Sequence, residues 1–237
     1  AAGLRALSLP SSLVEMSAQT SELQRPAATL VQLVPASCVV EEAVPQLYDA
    51  ALFPEELASI AKAVDKRRAE FGTARVCARR ALSRLGYAPM PLVPNKDRSP
   101  VWPSGVVGSI THTRGYCAVV VAQDSELVSV GVDAEQDKTL TADMIEMICT
   151  PPERAHLFER DAVVYFAAKE AFYKCQYPLT QQFLGFQDVE LDLDLTTGTF
   201  SARIVKADID KPAWLAQLRG SILREHGLVL CSMTYER

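Results

Sequence analysis

The order of apolar and polar positions divides the chain into a long helical stretch, a group of short strands, two further helices and a β-rich tail. Between residues 54 and 86, Leu57, Ile60, Val64, Phe71, Ala78, Leu82 and Leu85 recur at three- and four-residue intervals and their multiples, which predicts one helical face. Pro54 opens the run, Glu55 and Glu56 suit the positive end of the helix dipole, and Gly86 closes it. The run is long for one globular helix, so a break is expected near Asp65, with Asp65 capping the second piece. Residues 29–34 (TLVQLV), closed by Pro35, suggest a short strand, and residues 1–28 show no sustained period.

Prolines 89, 91, 94, 100 and 103 mark an irregular loop. After it, residues 106–110 and 116–122 are expected as strands around the turn THTRG, and residues 127–135 as another. A helix should begin near Ala142 with Thr141 as its cap and Pro151 as its stop, and another should run over 161–177, ended by Pro178. In the tail, Val189, Leu191, Leu193 and Leu195 alternate with acids, Thr197-Gly198 makes a turn, and residues 221–235 form a hairpin around His226-Gly227. The predicted class is α+β, with helices packed on antiparallel hairpins. Helix-then-strands occurs on each side of about residue 125, which suggests a duplicated plan.

Composition narrows the function. The 237 residues include 49% hydrophobic and 22% charged ones, enough apolar material for a packed core. Charges or prolines interrupt every apolar run before membrane-spanning length, so no membrane partner is expected. A net charge of −5 argues against a nucleic-acid partner. The six cysteines show no paired spacing, which points to reduced thiols and a cytoplasmic protein rather than a zinc site or a disulfide scaffold. No basic-then-apolar signal pattern stands at the start of the sequence.

Four segments could carry chemistry. Asp133 and Glu135, two apart in a strand, leave the same face and repel each other unless a cation or proton lies between them, an arrangement suited to magnesium with phosphate oxygens. A solvated strand edge before a turn is the plainer reading of that pair alone. In FAAKEAFYK (166–174), Glu170 and Lys174 are four apart on a helix face, as in many surface pairs. Their apolar setting, however, calls for a partner to offset desolvation, and a metal-bound diphosphate would serve Lys169, Glu170 and Lys174 together. Thr111 and His112, at a strand–turn junction, offer small donors and an imidazole to a phosphate. Finally, Arg68, Arg75 and Arg79 share a helical stripe bordered by Arg67, either a solvated face or an anion site.

Taken together, KRRAEFGTARVCARRAL (66–82), SPVWPSGVVGSITH (99–112), GVDAE (131–135) and FAAKEAFYK (166–174) resemble the Sfp-type phosphopantetheinyl transferases, particularly the branch that includes enterobactin synthetase component D. The resemblance covers roughly residues 50–180. It implies a pseudo-dimer of two similar α/β halves, here 29–125 and 126–237, with the active site in the cleft between them. It also implies transfer of the 4′-phosphopantetheine arm of coenzyme A to a serine of an acyl, peptidyl or aryl carrier protein, releasing adenosine 3′,5′-bisphosphate. By the same resemblance, magnesium is held by Asp133, Glu135 and Glu170, Lys169 and Lys174 face the pyrophosphate, and Arg67, Arg75 and His112 bind the 3′-phosphate. Glu170 or a metal-bound water would be the base. Thr111 stands where many relatives have Ser, and Ala171 replaces another Ser; either Lys96 or Arg98 could supply the basic residue that relatives place before Pro100. Arg79, Arg80 and Arg84 are candidates to meet an acidic carrier. A monomer is expected, since two halves of one chain supply both walls of a cleft. Two alternatives stand beside this reading: another magnesium-dependent phosphoryl or nucleotidyl enzyme using Asp133, Glu135 and Glu170, and a binding module without catalysis.

Overall fold

The computed structural model describes residues 23–24, 26–27, 29–97 and 99–237. Among these residues, eight strands form two antiparallel sheets, a three-stranded one ordered β1-β3-β2 and a five-stranded one ordered β4-β8-β7-β6-β5. The first sheet holds β1 (Val39–Ala43), β2 (Val106–Thr113) and β3 (Tyr116–Gln123). The second holds β4 (Leu127–Gln136), β5 (Val189–Asp194), β6 (Thr199–Ile204), β7 (Arg219–Glu225) and β8 (Leu228–Glu236). Among the described residues no helix is long and apolar enough to cross a membrane.

The expected long helix breaks into α1 (Pro54–Ser59) and α2 (Asp65–Arg84). Asp65 is the first residue of α2 rather than its cap; Val64 holds the capping position and makes no side-chain cap bond. One face of α2, including Val76, Cys77, Ala78 and Leu82, packs on Val119 and Val121 of β3. The alternate residues of β3, Tyr116, Ala118 and Val120, point the other way and meet Val130, Val132 and Ala134 of β4 and Leu230 of β8. Beyond the second sheet, Ala167, Ala171, Phe172 and Cys175 of α5 (Ala162–Thr180) pack on Val229, Cys231 and Met233. Thus α2 covers one sheet and α5 the other, and the remaining sheet faces pack against each other. All six cysteines are free, and five are buried.

Two hydroxyls join the sheets where β2 runs beside β4. Ser109 Oγ accepts from Val132 N at 3.1 Å, and Thr111 Oγ1 accepts from Ala134 N at 3.0 Å. They satisfy backbone donors that β4, an edge strand, would otherwise leave buried and unpaired. On the other side of β4, Gly131 lets α5 approach closely: a Cβ there would lie 2.0 Å from the Ala171 carbonyl oxygen.

Several local expectations are corrected. Residues 29–34 contain a short 3-10 turn (Leu30–Leu33), not a strand, because the Glu42 carboxylate accepts from Leu30 N at 2.7 Å and from the Thr29 hydroxyl. Pro151 does not merely stop α3 (Ala142–Ile148), which Thr141 caps; it opens α4 (Pro151–Arg154), where Thr150 and Glu153 cap each other's backbone. Pro178 lies inside α5, which ends two residues later at Thr180 with Gln181 in the left-handed conformation. In the last turn the proline removes a single helical hydrogen bond. The lead-in at 1–28 lies almost entirely outside the described residues.

Candidate active site

A cavity of about 1220 Å³ is walled by α2, the 94–100 loop with Trp102, β2, the start of β4 and α5. Arg67, Arg75 and His112 line it on one side, and Glu170, Lys174, Tyr173 and Tyr177 on another. The Tyr177 hydroxyl donates to Asp97 Oδ2 at 3.0 Å, tying α5 to that loop. Arg98 lies outside the described residues, and Lys96, exposed in the same loop, does not line the cavity.

The acidic part of the site is built by the close approach at Gly131, which brings the Lys174 turn of α5 over the end of β4. Asp133 is 5% exposed. Its Oδ1 accepts from Lys174 Nζ at 2.7 Å and from Thr111 Oγ1 at 3.2 Å, while Oδ2 is buried with no partner. Lys174 also donates to the Val132 carbonyl at 3.0 Å. Burial, with Asp133 adding to it, pushes the Glu135 carboxyl up to about 7. Burial likewise raises Glu170, against the pull of Lys174. An orphaned carboxylate oxygen beside two carboxyls that resist ionisation is the electrostatic mark of a site short of positive charge, so these residues fit a hard divalent cation. No preassembled cluster of three or more His, Cys, Asp or Glu side chains suited to a metal is present among the described residues.

The basic part is centred on His112. Arg67 Nη1 lies 3.0 Å from His112 Nε2, and Glu70 Oε2 lies 3.6 Å from Nδ1. Arg75 is 5% exposed; its Nε donates to the Leu92 carbonyl at 2.6 Å and its guanidinium lies 4.1 Å over the Phe71 ring. Burial holds Arg75 down to about 10. Its neighbours on the expected stripe face elsewhere: Arg68 pairs with Asp49, and Arg79 donates to buried Glu56 at 2.8 Å. Arg84 meets Glu41 at 2.9 Å.

Two expected ligand contacts find other partners. Thr111 spends its hydroxyl between β4 and Asp133. Lys169, expected to face a pyrophosphate, is 3% exposed and is not among the cavity's lining residues. Its ammonium donates to Glu153 Oε2 at 2.7 Å and to the carbonyls of Ile148 and Phe186, both at 2.9 Å, so all three donors are taken. Glu70 and Asp97 stand outside the sequence expectations; an acid three residues after Arg67, inside a basic run, is the available signal for Glu70.

Two family models match the chain, and they divide it where the sheets meet. The model of the 4′-phosphopantetheinyl transferase N-terminal domain covers residues 54–122, and that of the 4′-phosphopantetheinyl transferase superfamily covers residues 129–231. The 4′-phosphopantetheinyl transferase Svp of Streptomyces mobaraensis is 43% identical over 187 residues, 74% of this chain and 76% of that protein. The chain belongs to the 4′-phosphopantetheinyl transferase superfamily. It is similar as well to the 4′-phosphopantetheinyl transferase PptT of Mycobacterium tuberculosis, 41% identical over 193 residues (76% of this chain, 84% of that protein). Enterobactin synthase component D of Shigella flexneri is 31% identical over 134 residues, covering 53% of this chain and 62% of that protein. As a phosphopantetheinyl transferase the chain is an enzyme, and its cavity draws walls from both matched segments.

Proposed function

We propose that this transferase moves the 4′-phosphopantetheine arm of coenzyme A onto a serine of a carrier protein. The carrier is an acyl, peptidyl or aryl carrier domain of fatty-acid, polyketide, nonribosomal-peptide or siderophore synthesis. The two segments on either side of residue 125 act as similar halves with the cleft between them, in a cytoplasmic monomer that needs neither nucleic acid nor membrane. The observation that carries this reading is one cavity with Arg67 and His112 on one wall and Glu170 and Lys174 on another, large enough for a nucleotide diphosphate with its arm.

In the reaction the serine oxygen attacks the phosphorus that bears the pantetheine oxygen, and the bond from that phosphorus to the bridging oxygen breaks. Adenosine 3′,5′-bisphosphate leaves with the bridging oxygen. Asp133, Glu135 and Glu170 would hold magnesium, which supplies charge neutralisation at the diphosphate. Lys174, 2.7 Å from Asp133, adds a donor to the diphosphate. Glu170, its carboxyl raised by burial, takes the serine proton directly or through a water. Arg67 and His112 hold the 3′-phosphate, with Arg75 behind them, and Lys169 anchors α5.

Product analysis tests the choice of bond. Release of adenosine 3′,5′-bisphosphate that depends on an apo carrier and stops on magnesium chelation is the expected result. Carrier-independent cleavage of simple phosphodiesters would refute it and favour a hydrolytic or nucleotidyl enzyme.

A further inference from the structure

An acid sits inside the basic wall of the cavity. The Glu70 side chain is 12% exposed, and its carboxylate lies 3.9 Å from Lys66 Nζ, 3.9 Å from Arg67 Nη1 and 3.6 Å from His112 Nδ1. Arg67 and His112 line the cavity and Glu70 does not, so the acid backs the wall. An acid beside a phosphate site weakens anion binding unless it does something for the cations there.

The contacts of His112 point to what it does. Arg67 can only donate, so His112 Nε2, 3.0 Å from Nη1, must accept, which leaves the imidazole proton on Nδ1, facing Glu70. At rest the imidazole is therefore neutral, and Arg67 spends a donor on it. A phosphate oxygen entering the wall is a far better acceptor for Arg67 than an imidazole nitrogen. Once released, Nε2 has a lone pair facing an anion, an arrangement that repels unless Nε2 gains a proton.

We propose that Glu70 is a positioning residue for the 3′-phosphate: it orients His112 through Nδ1 and supplies the charge that lets Nε2 take a proton from solvent as the phosphate displaces it from Arg67. The inference rests on the coenzyme A reading above. The charged groups around His112 agree with it. Glu70 and Arg67 face it from α2, Lys174 from α5 and Asp133 from β4, and its strand neighbour Cys117 is a buried thiol held well above its ordinary value. Burial holds His112 below its ordinary value, and Glu70 is the largest charge opposing that shift. The sign is fixed: a group neutral at rest and charged in the complex binds a proton with its ligand, so phosphate affinity weakens as pH rises.

Titration calorimetry of coenzyme A and of 3′-dephospho-coenzyme A, without metal or carrier, tests this in two buffers of different ionisation heat near neutral pH. Wild type should take up a proton with coenzyme A and not with the dephospho form. Glu70→Gln should bind coenzyme A about tenfold more weakly, with the dephospho form little changed and the uptake gone. Glu70→Asp should restore part of the uptake, which a loss of mere structural support would not produce. His112→Gln should abolish the uptake by itself, a second route should Glu70→Gln fold poorly. Absence of uptake in wild type, or equal weakening of both nucleotides by Glu70→Gln, overturns the role given to Glu70. Failure of wild type to bind either nucleotide would overturn the coenzyme A reading as well.

Discussion

Replacing Lys169 with Met strands Glu153, whose Oε2 lies 2.7 Å from the lysine ammonium deep under α5. Removing one partner of a buried ion pair costs about 3–5 kcal/mol. Glu153 keeps hydrogen bonds from Thr150 N at 2.7 Å and Leu191 N at 2.8 Å, which places the cost toward the lower end. The carbonyls of Ile148 and Phe186 also lose a donor, at about 1 kcal/mol each where no water replaces it. A net loss of about 3–5 kcal/mol follows, equivalent to a fall in Tm of roughly 6–20 °C for a chain of this length. Urea unfolding gives the stability, and coenzyme A titration well below the Tm gives the affinity of the folded variant, expected within about twofold of wild type. Lys169→Met combined with Glu153→Gln should recover part of the stability, because the amide removes the stranded charge and its oxygen still accepts from one of the backbone donors at Thr150 and Leu191. A loss below about 1 kcal/mol with coenzyme A binding weakened more than about tenfold would refute this reasoning and return Lys169 to the pyrophosphate.

Gly131→Ala would drive a Cβ to 2.0 Å from the Ala171 carbonyl oxygen and 2.5 Å from Cys175 N, backbone atoms that cannot swing aside. Overpacking of about 1–3 kcal/mol or more is expected in urea unfolding, with a larger fall in transfer because Glu170 and Lys174 ride on the displaced helix; an unchanged unfolding midpoint would contradict the close packing. Glu135, ordinarily near 4.5 and raised to about 7 by burial and then Asp133, contributes stability that is complete below pH 4.5 and lost as pH rises through 7. Glu135→Gln should therefore flatten the pH dependence of unfolding across that window, while divalent-cation affinity of wild type should strengthen with rising pH; a steeper slope in the variant would count against the shift. Asp133→Asn should abolish transfer and metal binding, read by manganese titration, yet leave metal-free coenzyme A affinity within a few-fold; wild-type turnover in that variant would remove Asp133 from the site.

Much of the fold is written in local chemistry. The His226-Gly227 turn needs positive φ at both residues, and they adopt 49° and 76°. Alternation from Val189 and the cap at Thr141 were equally visible. By contrast, β1 (VVEEA) carries no alternation and exists because β3 offers it an edge. Residues 29–34 turn rather than extend because their partner, Glu42, lies beyond the window in which periodicity speaks. The same boundary limits the site. The shared face of Asp133 and Glu135 follows from the strand period, and the Glu170–Lys174 face from the helix period. The fate of Lys169 depends on Glu153 and Phe186, 16 and 17 residues away, which no local pattern announces.

The central claim is that this cavity delivers a phosphopantetheine arm to a carrier serine. Intact mass of a panel of apo carrier domains, after incubation with the protein, coenzyme A and magnesium, tests it most directly. The expected result is a gain of one phosphopantetheine, mapped to the serine and absent when magnesium is chelated or Asp133 is replaced by Asn. A panel that stays apo across fatty-acid, polyketide and nonribosomal-peptide carriers, while the folded protein binds coenzyme A, would contradict it.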